Sequence, residues 1–207
     1  MPVSFNHNFC FVHIPKTGGT SIRKALIELD PKVNHWSYHT YIRSYYNVLN
    51  KRTFAKLFKF AFVRNPWDRV VSYYTWLRSK EHKRIDYCIW QDMMETPFVD
   101  FIHTMMPQMN YIKLDGEIAV DYVGKMETFE RSLAEISEII GISIPVYHER
   151  CTDHMHYAQY YDSKTRGIVS KMFEEEIDTF GYAFSETELK FISHPVVLKS
   201  RFPLLHL

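Results

Sequence analysis

Two adjacent glycines separate an apolar run from a helical pattern, and this junction restricts the possible folds more than any other part of the chain. Phe9, Cys10, Phe11, Val12 and Ile14 read as a buried strand. Residues Ile14 to Ser21 then spell Ile-Pro-Lys-Thr-Gly-Gly-Thr-Ser, and a helical pattern starts near Thr20 and runs to Leu29. A strand, a glycine turn and a helix in that order aim successive backbone N–H groups and a helix N-terminus at one point, which attracts phosphate or sulfate. Gly18 and Gly19 permit positive φ and a close approach of backbone to ligand. Lys16 adds a mobile cation, and Thr17, Thr20 and Ser21 add hydroxyl donors. The plainer reading is a simple strand-to-helix turn with Thr20 as N-cap. One lysine, two glycines and three hydroxyls within six residues favour the anion site. In the standard ATP/GTP loop the lysine follows the last glycine. Here Lys16 precedes both glycines and would approach the anion from the strand side.

Strands and helices alternate along the rest of the chain. Phe58 to Val63 reads as a second buried strand, ending at Arg64-Asn65-Pro66, with Pro66 opening a helix that continues through Leu77. A helix is expected near Ile42 to Leu49, and the stretch from Asp86 to Met109 reads as helical and rich in Met and aromatics. A third strand is expected over Ile118 to Val123, a helix over Phe129 to Ile140 closed by Gly141, and a further helix over Tyr161 to Phe180. The order implies an α/β fold: a central parallel sheet flanked by helices, with ligands at the carboxyl ends of the strands. Lys16 and Arg64 both fall at such ends. Arg64 and Ser72, about two turns into the next helix, could hold a second anionic group; the plainer reading pairs Arg64 with Asp68 and buries Ser72. Enzymes that hold nucleotide phosphates with Mg usually place an Asp where Arg64 stands, so no metal is expected.

The 207 residues suit one domain, expected over 1–184, with an extension of unknown role over 185–207. A formal net charge of +1 gives no support for nucleic-acid binding. There is no charged flank with an apolar core at the start and no apolar run near 20 residues, so neither a signal peptide nor a membrane span is expected. Cys10, Cys88 and Cys151 are sparse and odd in number, which fits a reducing, cytoplasmic setting. His148, Cys151, His154 and His156 have spacings that can ligate zinc but match no standard finger.

Pro15 to Ser21 resembles the 5′-phosphosulfate loop of sulfotransferases that use 3′-phosphoadenosine-5′-phosphosulfate (PAPS), and Arg64-Asn65-Pro66 through Ser72 is similar to their 3′-phosphate motif. The wording is closest to the carbohydrate-type branch. Val123-Gly124-Lys125-Met126-Glu127 resembles the family's Gly-Arg-x-Glu segment, with Lys125 where Arg is common, and Tyr160 to Tyr182 resembles its C-terminal helix. The resemblance implies a P-loop-like sulfotransferase fold. It implies PAPS as donor, adenosine 3′,5′-bisphosphate as product, and an acceptor hydroxyl on a carbohydrate or glycoconjugate. Lys16 would stabilise the leaving oxygen, Thr17 to Ser21 would cradle the 5′ side, and Arg64 and Ser72 would hold the 3′-phosphate, with Lys164 or Arg166 adding a cation. The general base would be His39, with His35 as the alternative and Glu127 as base or orienter. An ATP-dependent phosphotransferase and a non-catalytic nucleotide-binding protein are the competing readings.

Overall fold

The computed structural model describes residues 2–35, 39–79, 92–147 and 154–187. Phe9–Val12, Phe58–Val63 and Tyr122–Lys125 form strands β2, β4 and β7, and every residue in them is buried. Unbroken burial is what a parallel sheet covered on both faces requires. Pairing is parallel, with Val12 opposite Ala61, Ala61 opposite Val123 and Val63 opposite Lys125. Phe11 and Phe60 stack at 5.2 Å between ring centroids, and Ile22, Leu26, Phe129, Leu133 and Ile136 close the core around them. Those side chains come from two helices, Gly19–Leu29 and Phe129–Ile140, the second ending on Gly141 at φ 71° as expected.

The expected α/β fold, a central parallel sheet flanked by helices, is found, and two element boundaries are corrected. The sheet also carries an antiparallel edge: β1 (Pro2–Ser4) pairs antiparallel with β2, and β3 (Asn34–His35) antiparallel with β1, giving the order β3-β1-β2-β4-β7. Only four residues join β1 to β2, with Asn8 at φ 53°, and so short a connection can only reverse the chain. The third parallel strand covers Tyr122–Lys125, not Ile118 to Val123. The residues before it form a separate hairpin, β5 (Lys113–Leu114) with β6 (Glu117–Ile118), turned by Asp115 and Gly116 at φ 53° and 88°. The single helix expected over Tyr161 to Phe180 is two helices, Ser163–Met172 and Glu174–Phe180, broken at Phe173 and preceded by a 3₁₀ turn Tyr157–Tyr160. Asp162 starts the first helix through a capping box with Thr165, which fixes its beginning at Ser163.

Among the described residues the chain divides into two compact units, one from Met1–Arg64 and Gln108–Arg150, the other from Asn65–Pro107 and Cys151–Lys190. The first holds the sheet. The second is built on the helix Pro66–Arg78, whose N-cap Asn65 accepts from the N–H groups of Trp67 and Asp68. Asn65 Nδ2 also donates to the Ala183 carbonyl at 3.1 Å, and Tyr161 Oη donates to the Trp67 carbonyl at 2.9 Å. Arg69 is buried in this unit, donating to the Met106 carbonyl with its guanidinium 5.8 Å from the Phe173 ring. The expected helical stretch from Asp86 lies partly outside the described residues; within them it includes Phe98–Ile102. Of the expected 185–207 extension, residues 188–207 lie outside them too.

An ion pair sets β7 against β4. Lys59 Nζ lies 2.7 Å from Asp121 Oδ2, which also accepts the Lys59 N–H at 2.7 Å, and both side chains are largely buried. Removing one partner strands a charge inside the protein. Asp121→Ala is expected to lower unfolding stability by roughly 3 kcal/mol in urea titration. An unchanged urea midpoint would show that the pair does not hold the register.

Candidate functional site

Parallel strands gather their carboxyl ends, so the residues following β2 and β4 and the last residue of β7 leave the sheet together. Those residues include Lys16, Arg64 and Lys125, three cations from three strands of one unit. Arg64 Nη1 donates to the Lys16 carbonyl at 3.4 Å. Lys16 has φ 66°, a conformation costly for a residue with a side chain, and such strain gathers at functional sites. Lys125 is buried, and burial lowers its pKa against an opposing pull from Glu127. Glu127 itself lies in the 3₁₀ turn Met126–Thr128 and is half-buried.

The two glycines serve different purposes. Gly18 takes φ 72° and is the N-cap of the Gly19–Leu29 helix, with no side-chain cap, so Thr20 is inside the helix and is not the N-cap of the plainer reading. Left-handed φ at the cap admits glycine at no steric cost, and a Cβ there would also lie 2.7 Å from Met126 Sδ. Gly19 has ordinary helical φ, but a Cβ on it would lie 1.8 Å from Cδ2 of the buried His13. Thr17 is fully buried and donates to the Ile14 carbonyl at 2.9 Å, holding the loop closed; Ser21 is buried in the first turn, and Thr20 is half-buried. The first turn of this helix has no acidic side chain, which leaves its positive end for an external anion.

Sequence reasoning did not single out His13, a buried residue packed against the loop; its only signal was its place between an apolar strand and Pro15-Lys16. Its ring stacks on Phe11 and lies 4.4 Å from the His39 ring, centroid to centroid. Burial, then the neighbouring His39, holds its pKa well below the usual histidine value. His39, at φ 54°, places Nδ1 3.4 Å from the His13 carbonyl. Its residue surface is exposed overall, yet the packing against its ring lowers its pKa, only partly offset by the bond to His13. His35 is in edge strand β3 opposite Pro2.

The model of a family described as "Sulfotransferase family" matches residues 2–183. The chain belongs to the sulfotransferase family. The chain is also similar to an uncharacterized protein of Archaeoglobus fulgidus, 29% identical over 98 residues, which are 46% of this chain and 78% of that relative. The structure brings together Lys16, Thr17, Gly18, Gly19, Thr20, Ser21 and Arg64 in the first unit. Ser72, Lys164 and Arg166 belong to the second. Ser72 is buried on the Pro66–Arg78 helix. Lys164 and Arg166 are exposed in the first turn of Ser163–Met172, the Arg166 guanidinium 4.4 Å from the Phe184 ring centroid. His148 and Cys151 lie outside the described residues; His156 caps the 3₁₀ turn, and His154 Nδ1 lies 2.8 Å from the Met155 carbonyl. Among the described residues no three His, Cys, Asp or Glu side chains are grouped to hold a metal. No helix among them is long and apolar enough to cross a membrane.

Gly19→Ala drives a methyl group into the His13 imidazole. It is expected to destabilise by roughly 2 kcal/mol, the usual range for overpacking a core. Adding His13→Ala to the same chain should recover much of the loss in urea titration. A Gly19→Ala protein as stable as the unaltered one would refute the contact.

His13 also makes stability depend on pH. Its folded pKa is depressed, so below about 6.5 the unfolded chain binds the proton and the folded one does not. Stability is therefore expected to fall as pH drops below about 6.5, by at most 1.4 kcal/mol per pH unit from this group. Urea titrations at several pH values should show a shallower dependence in His13→Gln.

Proposed function

We propose that this protein moves the sulfuryl group of PAPS to an acceptor hydroxyl, on a carbohydrate or glycoconjugate, with residues 1–184 as the transferring domain and no metal taking part. The observation that carries the reading is the meeting of Lys16 and Arg64 at an uncapped helix N-terminus, in a chain of the sulfotransferase family. The site fits such a donor. Gly19 opens the helix where any side chain would be excluded, and the nearby cations match a ligand with several negative groups.

In the proposed reaction an acceptor oxygen bonds to sulfur as the sulfur–oxygen bond to the 5′-phosphate breaks. Negative charge builds on the departing oxygen, where the Lys16 ammonium and the N–H groups of the Gly19–Leu29 helix would stabilise it. Arg64 and Ser72, one continuous sequence motif, are assigned to the 3′-phosphate, with Lys164 or Arg166 as a supplementary cation. The acceptor proton goes to His39. A neutral ring whose Nδ1–H donates to the His13 carbonyl keeps Nε2 as the acceptor, and its lowered pKa keeps it neutral near pH 7. His35 remains the alternative base.

The rate should rise with pH through an ionisation below about 6.5 and level off above it, because protonated His39 cannot accept a proton. His39→Ala is expected to reduce kcat roughly 10²- to 10⁴-fold while still binding adenosine 3′,5′-bisphosphate. Lys16→Ala should reduce kcat roughly 10²- to 10³-fold. Full activity in both variants would sink the catalytic assignment. Titration calorimetry decides the donor: a clear preference for ATP over adenosine 3′,5′-bisphosphate would favour phosphotransfer. Bisphosphate binding with no turnover on any acceptor would favour a non-catalytic role.

A further inference from the structure

Gln108 is fully buried, and its carboxamide grips the backbone of Arg64 from both sides. Oε1 accepts the Arg64 N–H at 2.9 Å, and Nε2 donates to the Arg64 carbonyl at 2.9 Å. That is the pairing a neighbouring strand would supply, made by a side chain just where β4 has ended at Val63. A buried amide that satisfies two backbone groups at once holds them firmly, because losing it leaves both unpaired away from water. The hold passes onward through Arg64, whose guanidinium donates to the carbonyl of the strained Lys16.

The same segment also reaches the His39 side. Directly after Gln108, the Met109–Ile112 helix stacks Tyr111 on Tyr41 at 4.9 Å. The β5–β6 turn places Asp115 2.6 Å from Arg43. Tyr41 and Arg43 follow His39 closely in the chain. The ion pair is exposed and adds little by itself, so the aromatic stack and the buried amide are the firm contacts.

We propose that Gln108 is a positioning residue for the anion site. It fixes the Arg64 backbone so that the guanidinium stays on the Lys16 loop, and the segment it begins steadies the chain that carries His39. The inference rests on the donor reading above. A Gln108 that merely satisfied a strand end would affect stability without any dependence on the Arg64 side chain.

The test is titration calorimetry with adenosine 3′,5′-bisphosphate on the unaltered protein, Gln108→Met, Arg64→Ala and the double variant, with thermal melting of each. Gln108→Met keeps the volume and removes both hydrogen bonds. Binding is expected to weaken roughly tenfold, and to change little further when Arg64 is already Ala. Unchanged affinity in Gln108→Met, or the same loss with and without the Arg64 side chain, overturns the proposal. If Gln108→Met does not fold, Gln108→Glu serves, because a protonated carboxyl carries the same donor–acceptor pair as the amide. Its affinity relative to the unaltered protein should then recover as pH falls from about 8 to about 5. A ratio that stays flat overturns the positioning role. An unaltered protein that binds no bisphosphate refutes the donor reading and this inference with it; binding with additive losses refutes the positioning role alone.

Discussion

The parallel pairing of β2, β4 and β7 is the constraint on which the candidate site depends. All three strands are buried along their whole length, so no side chain within them before Lys125 can serve a ligand in solvent. Chemistry is forced to the strand ends. Because the strands run the same way in register, the residues after Val12 and Val63 emerge beside Lys125. An antiparallel β4 would have sent Arg64 to the opposite end of the sheet, away from Lys16. The antiparallel strands β1 and β3 stay at one edge, where they extend the sheet without disturbing that arrangement.

Close packing then turns a gathering of cations into a shaped loop. His13 occupies the space that a side chain on Gly19 would need, and Met126 stands against Gly18. The helix N-terminus is thereby brought within contact of the first strand's exit. Thr17 closes the turn from inside, and Lys16 takes the strained φ that the tight path demands. These contacts fix the direction of the loop's backbone N–H groups, and fixed dipoles are those that stabilise developing charge most effectively.

The parts of this arrangement that were legible in the sequence are those encoded by neighbours in the chain. The Phe58–Val63 run, Pro66 at a helix start and Gly141 at a helix end each act within a few residues, and all three fall where the local pattern puts them. The parts that were not legible depend on partners far away in the chain. Gln108 meets Arg64 across 44 positions, and His13 meets His39 across 26. Neither pairing has a spacing to recognise. The 113–118 hairpin is a different kind of miss: the Asp115-Gly116 turn was readable, but the apolar residues after it suggested a longer strand. The helix break at Phe173 was hidden because the apolar periodicity runs on through it, from Val169 to Ile177 and Phe180.

Electrostatics ties the histidines to the cations. Lys16 carries its positive charge near enough to His39 to make protonating that imidazole less favourable. Burial does most of this work for both His13 and His39, and Lys16 adds a smaller push on His39 in the same direction. A bound anion reverses that smaller push, because it offsets the charge of Lys16 and makes protonation of His39 easier. The same event that would bring a donor into the loop would thus raise the basicity of the group proposed to take the acceptor's proton. Proton affinity at His39 and anion occupancy at Lys16 are then linked, each favouring the other, through their proximity and without any movement of the fold.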